Sequence, residues 1–257
     1  MRISTKWIIS VTLVCTVLFA GCAGNTPDNS QPNTNGETKK TDAPNTSYPQ
    51  EVTQALEATK TLKVGTSVIV DNKTYVIASF GQQPTAGYDA HITDIELEGN
   101  KATATVGLEP PQGDAAATVV TYPQAVKVLE GRYENIAFVK EGDYMPQVVG
   151  LQKPLKKTKY VSENIRVIDY NPSTAEVAGI ARVFEAIVSY QMRDAQGKVL
   201  KRGNMMALSG APDWGYFELE LDKLPQEASE IILYQASAKD GSMQDEVHLP
   251  VKRSTET

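Results

Sequence analysis

Between Thr66 and Val251 the apolar residues fall in short runs that alternate with polar ones, and clusters of Gly, Asn, Asp and Pro separate the runs. Successive side chains of a strand point to opposite faces, so period-two runs of this kind read as half-buried strands. No stretch in either half supplies the helix that a parallel βαβ crossover needs. The chain is therefore expected to be all-β.

In the first half, only residues 51–62 carry a helical spacing, through Val52, Ala55, Leu56 and Thr59. Runs 66–70 and 74–80 flank Asp71-Asn72-Lys73 and read as a hairpin. Tyr88, Ala90 and Ile92 alternate, then the phase slips to Ile95 and Leu97, which predicts a bulge. Ala102, Ala104, Val106 and Leu108 continue after a turn at Glu98-Gly99-Asn100-Lys101. A loop at Pro110-Pro111-Gln112-Gly113-Asp114 precedes a strand-like run, 117–121, and runs 135–139 and 147–149 suggest another hairpin.

Lys153-Pro154-Leu155-Lys156-Lys157-Thr158-Lys159 interrupts the pattern and reads as a basic, solvated linker over 153–162, with contact to anionic lipid headgroups as a second use. Seven further strand candidates follow at 165–168, 176–181, 184–192, 198–207, 214–221, 230–237 and 246–251. Seven short strands at regular spacing predict an immunoglobulin-like sandwich, although the Cys…Trp…Cys landmark is missing. The expected organisation is two β-sandwich-like domains, 51–152 and 163–252, with a short tail at 253–257.

The N-terminus sets the expected localisation. Arg2 and Lys6 precede an apolar run, 7–19, that is too short for the roughly 20 residues of a membrane span but suits a signal peptide. It ends in Leu18-Phe19-Ala20-Gly21-Cys22, which matches a lipobox. Residues 1–21 are thus expected to be a lipoprotein signal peptide, Cys22 to carry the lipid, and the protein to sit on the extracytoplasmic face of the cell membrane. Cys15 and Cys22 are the sole cysteines, so the mature chain can form no intrachain disulfide. Residues 23–50 contain no Val, Ile, Leu, Phe, Met or Trp, so 22–50 is expected to be a disordered tether.

The same sequence argues against catalysis. The net charge is −6, and loss of Arg2 and Lys6 takes it to −8, which disfavours nucleic-acid partners. His91 and His248, the two histidines, each sit on the solvent phase of a strand, with no G-x-S-x-G motif or reactive cysteine for support. The acids near Asp240 lack the spacing and the glycine of a calcium loop, and read as a turn. Neither cofactor nor metal is expected. Trp214 and Tyr216 read as core residues rather than a sugar-stacking pair. Pro84-Thr85-Ala86-Gly87-Tyr88 reads as a turn entering a strand: proline holds φ, and glycine permits a positive φ. Gln83, Pro84, Thr85, Gly87 and Tyr88 are the candidate partner-binding residues.

Two resemblances add to this reading. Ile165-Arg166-Val167…Tyr170-Asn171-Pro172, the run 177–186, Ala211-Pro212-Asp213-Trp214-Gly215-Tyr216-Phe217 and 237–242 resemble the immunoglobulin-like domain of bacterial spore germination proteins. That resemblance implies an extracytoplasmic adhesive or scaffold module without catalytic residues. Gly81, Pro84-Thr85-Ala86-Gly87-Tyr88, Pro110-Pro111, Gly113 and Tyr122-Pro123 resemble the PrcB C-terminal family, with Ala86 where members often have Gly. This implies a protein that binds or stabilises a protease. The P-T-x-G-Y string also resembles the inserting loop of chagasin-type cysteine-protease inhibitors. The expected function is a membrane-anchored binding or scaffold lipoprotein, not an enzyme, that supports a protease-associated or germination-related assembly. The protein partner would be a protease or a germination or cell-envelope protein. A protease inhibitor using 82–88 is the alternative, and a cell-wall carbohydrate-binding module ranks third.

Overall fold

The computed structural model describes residues 47–113, 117–140, 142–221 and 223–252, which form one compact unit. The expected signal peptide, Cys22, nearly all of the expected tether and the 253–257 tail lie outside the described residues. Helix α1 (Gln50–Thr59) buries Val52, Ala55 and Thr59 on one face, the i, i+3, i+7 spacing of an amphipathic helix. It ends earlier than its apolar spacing suggests. The Thr59 hydroxyl donates back to the Ala55 carbonyl at 2.8 Å, and Gln124 Nε2 donates to the Leu56 carbonyl at 3.0 Å. The Leu62 amide takes up the Thr59 carbonyl at 2.8 Å, one of the last-turn carbonyls left without a helical partner, and the chain turns into strand at Lys63.

β1 (Lys63–Val70) and β2 (Lys73–Phe80) form the expected hairpin. Val70 pairs with Lys73, so the loop is two residues, and Asp71 and Asn72 both take positive φ. This is the turn whose twist suits a tight hairpin, and Asx side chains tolerate it. β5 (Gln124–Glu130), which the periodicity missed, pairs with β2 to give the order β1-β2-β5. A second sheet holds β3 (Asp89–Glu98), β4 (Lys101–Glu109), β6 (Asn135–Lys140) and β7 (Asp143–Tyr144) in the order β3-β4-β6-β7. The β3–β4 register shifts between Ile92 and Asp94, where the slipped phase predicted a bulge. The two sheets enclose Val76, Ala78, Phe80, Ala102, Ala104, Val106 and Phe138.

Two expectations fail in this half. β6 pairs in parallel with β4 rather than in a hairpin with 147–149, because the chain between them crosses to the other sheet as β5. A strand can thus replace the helix of an ordinary crossover. The 117–121 run is an extended loop outside any ladder, with an isolated β-bridge from Thr121 to Gln83.

The second half is a two-sheet, immunoglobulin-like sandwich of seven strands. One sheet has β9 (Ile165–Tyr170), β10 (Val177–Ala181) and β13 (Trp214–Leu219). The other has β11 (Ile187–Arg193), β12 (Val199–Met206), β14 (Glu230–Ala236) and β15 (Met243–Pro250), in the order β12-β11-β14-β15. Val167, Val177, Phe217, Val188, Tyr190, Met192, Ile231, Leu233 and Leu249 fill the space between them. The strand expected from 184 starts only at Ile187. Residues 184–186 form a 3-10 turn in which Glu185 and Ala186 take positive φ, and this leaves Phe184 63% exposed.

β10 is buried along its whole length, which alternation alone does not explain. Val177 and Ala181 face the sandwich core, whereas Ala178 and Ile180 point the other way. There they meet Ile168, Trp214 and Tyr216 from their own sheet, and Val52, Ala55, Val64 and Ile77 from α1, β1 and β2. The outer face of one sheet is thus the inner face of a third apolar cluster. Leu155, within the stretch expected to be a solvated linker, is 1% exposed in this cluster. The 153–162 segment is therefore a strap across a shared core, with exposed Lys156, Lys157 and Lys159 around one buried leucine. β8 (Val148–Val149) crosses as well, pairing in parallel with β13, and the Trp214 amide donates to the Gln147 carbonyl at 2.8 Å.

Three tyrosines whose ionisation is suppressed in the folded state set an alkaline limit on stability. Burial, followed by the nearby Tyr160, pushes Tyr170 from 10.0 up to about 12. Burial first and then a carboxylate raise Tyr144, beside Asp213, and Tyr216, beside Glu218. A phenol that resists ionisation in the native state binds its proton more tightly there than in the unfolded chain. The contribution is fully present below the unfolded value near 10 and is lost as pH rises through the native values. The melting temperature is expected to hold from neutrality to pH ~9 and to fall steeply above pH ~10. Tyr170→Phe should flatten that fall, and an unchanged alkaline slope in the variant would count against this origin.

Candidate protein-binding surface

One end of the first half collects the residues singled out by their motif. After β2, Gly81 takes a positive φ of 67 with the Thr61 carbonyl close by, and the chain leaves the sheet. Gln83 and Thr121 exchange backbone hydrogen bonds of 2.9 and 3.1 Å. The Gln83 side chain donates to the Phe80 carbonyl at 3.1 Å, and the Thr121 hydroxyl donates to the Thr85 carbonyl at 2.9 Å. The Ala86 amide donates to the Ala117 carbonyl at 3.0 Å. The 81–88 loop is thus laced to the 117–121 loop by main-chain bonds, while Pro84 and Gly87 stay exposed and Tyr88 is half-buried.

Gly87 has φ 89, the left-handed region that side chains resist. A Cβ there would also stand 3.0 Å from the Pro111 Cβ, so the Pro110-Pro111 loop closes directly on it. The Phe80 amide donates to the Pro123 carbonyl at 3.1 Å, and Lys60 Nζ lies 5.7 Å from the centre of the Tyr122 ring. Gln83, Pro84, Thr85, Gly87 and Tyr88 are therefore brought together with Pro111, Tyr122 and Pro123, which are distant in sequence.

The structure adds two residues that the sequence concealed. Val119 and Val120, expected within a strand, are 56% and 50% exposed on the partner loop. Their β-branched, apolar character signalled a buried strand, and only the missing ladder partner reveals an exposed apolar patch. Beside the loops, Phe80, Gln83, Leu108, Lys140, Tyr144 and Met145 line an open depression of about 510 Å³. Apolar tips on a hydrogen-bonded frame, next to a concave surface, can recognise a protein at little ordering cost.

The histidines build no comparable site. His91 is half-buried on β3 rather than fully on the solvent phase. His248 is exposed on β15, with Nδ1 2.8 Å from Glu230 and Nε2 3.2 Å from Glu246. No group of three or more metal-ligating side chains converges among the described residues.

Comparison with known proteins follows the same division of the chain. Residues 74–130 match the model of the PrcB C-terminal family, and residues 166–242 match the immunoglobulin-like domain of bacterial spore germination. An uncharacterized protein of Methanocaldococcus jannaschii is 40% identical over 63 residues, which cover 24% of this chain and 38% of that protein. No solved structure matches the chain.

Proposed function

We propose, from a chain that joins a PrcB C-terminal segment to a germination-type immunoglobulin-like segment, a lipid-anchored extracytoplasmic scaffold that binds a protein partner. The partner belongs to a protease-associated or germination-related assembly, and the protein itself is not an enzyme. The paired 81–88 and 117–121 loops carry this reading, because they combine exposed apolar tips with a frame of main-chain hydrogen bonds. Cys22 and the 22–50 tether hold the binding unit at the membrane. In a detergent partition, Cys22→Ala is expected to move the protein into the aqueous phase, and its retention with detergent would refute the anchor.

The loop is tested by Pro84→Ala/Thr85→Ala. The bonds that frame the loop use the backbone of Gln83, Thr85 and Ala86 and the side chains of Gln83 and Thr121, so this pair removes none of them. Stability is expected to change by under about 0.5 kcal/mol, as for most surface substitutions. The partner crosslinked by the wild type in native membranes is expected to be lost. Full retention of the partner would move the binding surface elsewhere. Inhibition of papain-like proteases by the wild type but not the variant would favour the chagasin-like alternative, and retention on purified peptidoglycan would favour the carbohydrate-binding one.

A further inference from the structure

We propose that the pocket between the last turn of α1 and the 155–161 strap binds a phosphate-bearing anion. The pocket holds about 200 Å³ and is lined by Lys60, Lys156, Lys157 and Arg166, with Glu57 as its single carboxylate. Glu57 already faces Lys60 at 3.8 Å. Lys156 and Lys157 are exposed, and among the described residues neither has an ion-pair partner.

Arg166 gives the pocket its chemistry. It lies on β9 opposite Ile180, with its guanidinium 5.7 Å from the centre of the Trp214 ring. Arg182 lies over the same ring at 5.3 Å, but two of its nitrogens donate to Asn164 Oδ1 at 3.0 and 2.9 Å. Arg166 Nε is buried with no hydrogen-bond partner, and neither guanidinium forms an ion pair among the described residues. A desolvated cation normally has a counter-charge, and here a second cation shares its aromatic platform instead. An anion in the adjoining pocket would provide both the missing acceptor and the missing charge. Phosphate oxygens suit several donors at once, and the pocket is several times the roughly 30 Å³ occupied by a water, which leaves room for an esterified group. The C-terminal end of the α1 dipole works against an anion, but four cationic side chains against one carboxylate set the sign of the site.

The test uses the chain from Cys22 onward, in which Trp214 is the sole tryptophan and reports on Arg166. Inorganic phosphate, titrated against chloride at constant ionic strength, is expected to change Trp214 emission saturably. Lys156→Ala/Lys157→Ala is expected to weaken that response about tenfold without lowering the melting temperature, since charge-assisted bonds are lost from exposed positions. Arg166→Lys, which keeps the charge but not the fork, should weaken it as well. If that variant does not fold, the lysine pair decides alone. A lipid source is distinguished by vesicles: phosphatidylglycerol but not phosphatidylcholine would then give the lysine-dependent response, with inorganic phosphate far weaker. A response that chloride reproduces, one that survives in the lysine variant, or silence toward both probes overturns the proposal.

Discussion

Trp214→Ala is expected to lower the stability of the whole compact unit by about 3–5 kcal/mol, the usual cost of emptying a large aromatic site. For a unit of this size that corresponds to roughly 10 °C in melting temperature. The indole is 1% exposed and sits in the cluster shared by α1, β1, β2 and the β9-β10-β13 sheet, so its loss opens a cavity that several elements line. It also removes the platform beneath Arg166 and Arg182. A second readout identifies the mechanism. Trypsin should nick the wild type at exposed Lys156, Lys157 or Lys159, yet the pieces are expected to elute together in native gel filtration. Nicked Trp214→Ala should release them. If the variant melts like the wild type, or its pieces stay together, the shared cluster is not what couples the two halves.

Gly215→Ala is expected to cost as much as the upper end of the ~1–3 kcal/mol range for overpacking, or more. A Cβ at this position would stand 2.1 Å from the Ser209 carbonyl oxygen and 2.3 Å from the Ser209 nitrogen. These are backbone atoms that no rotamer change can move away. The requirement is therefore close approach rather than positive φ. Two residues earlier, Asp213 accepts from the Gln147 amide at 2.9 Å and from the Tyr144 hydroxyl, which staples the start of β13 to the first half. A backbone shift at Gly215 should disturb that staple, and chemical shifts of Tyr144 and Gln147 would report it. An unchanged melting temperature would mean that the 209–215 turn relaxes freely.

The motif residues of the candidate surface were legible because short motifs record local backbone demands. Gly87 and Gly81 mark positive φ, and Pro84 and Pro111 mark rigid turns. Which loop lies beside them was not legible, since the bonds from Gln83 to Thr121 and from Ala86 to Ala117 join positions 38 and 31 residues apart. Val119 and Val120 misled for the same reason: apolar, β-branched residues signal a strand, but a strand also needs a neighbouring ladder.

What the sequence determined by itself is the all-β class, the β1–β2 hairpin, the bulge in β3 and the seven strands of the immunoglobulin-like half. Each follows from period-two burial or turn chemistry, which act over a few residues. Tertiary structure alone decided that β4 and β6 run parallel and that β5 joins β2. It also decided that the basic strap carries a buried leucine and that Trp214 faces a second core. Alternation shows that one face of a strand is buried, but it does not say what covers the other. Both faces of β10 are covered, and every β13 residue but Glu218 is buried, so the partner elements, not the local period, set how the two halves are built into one unit.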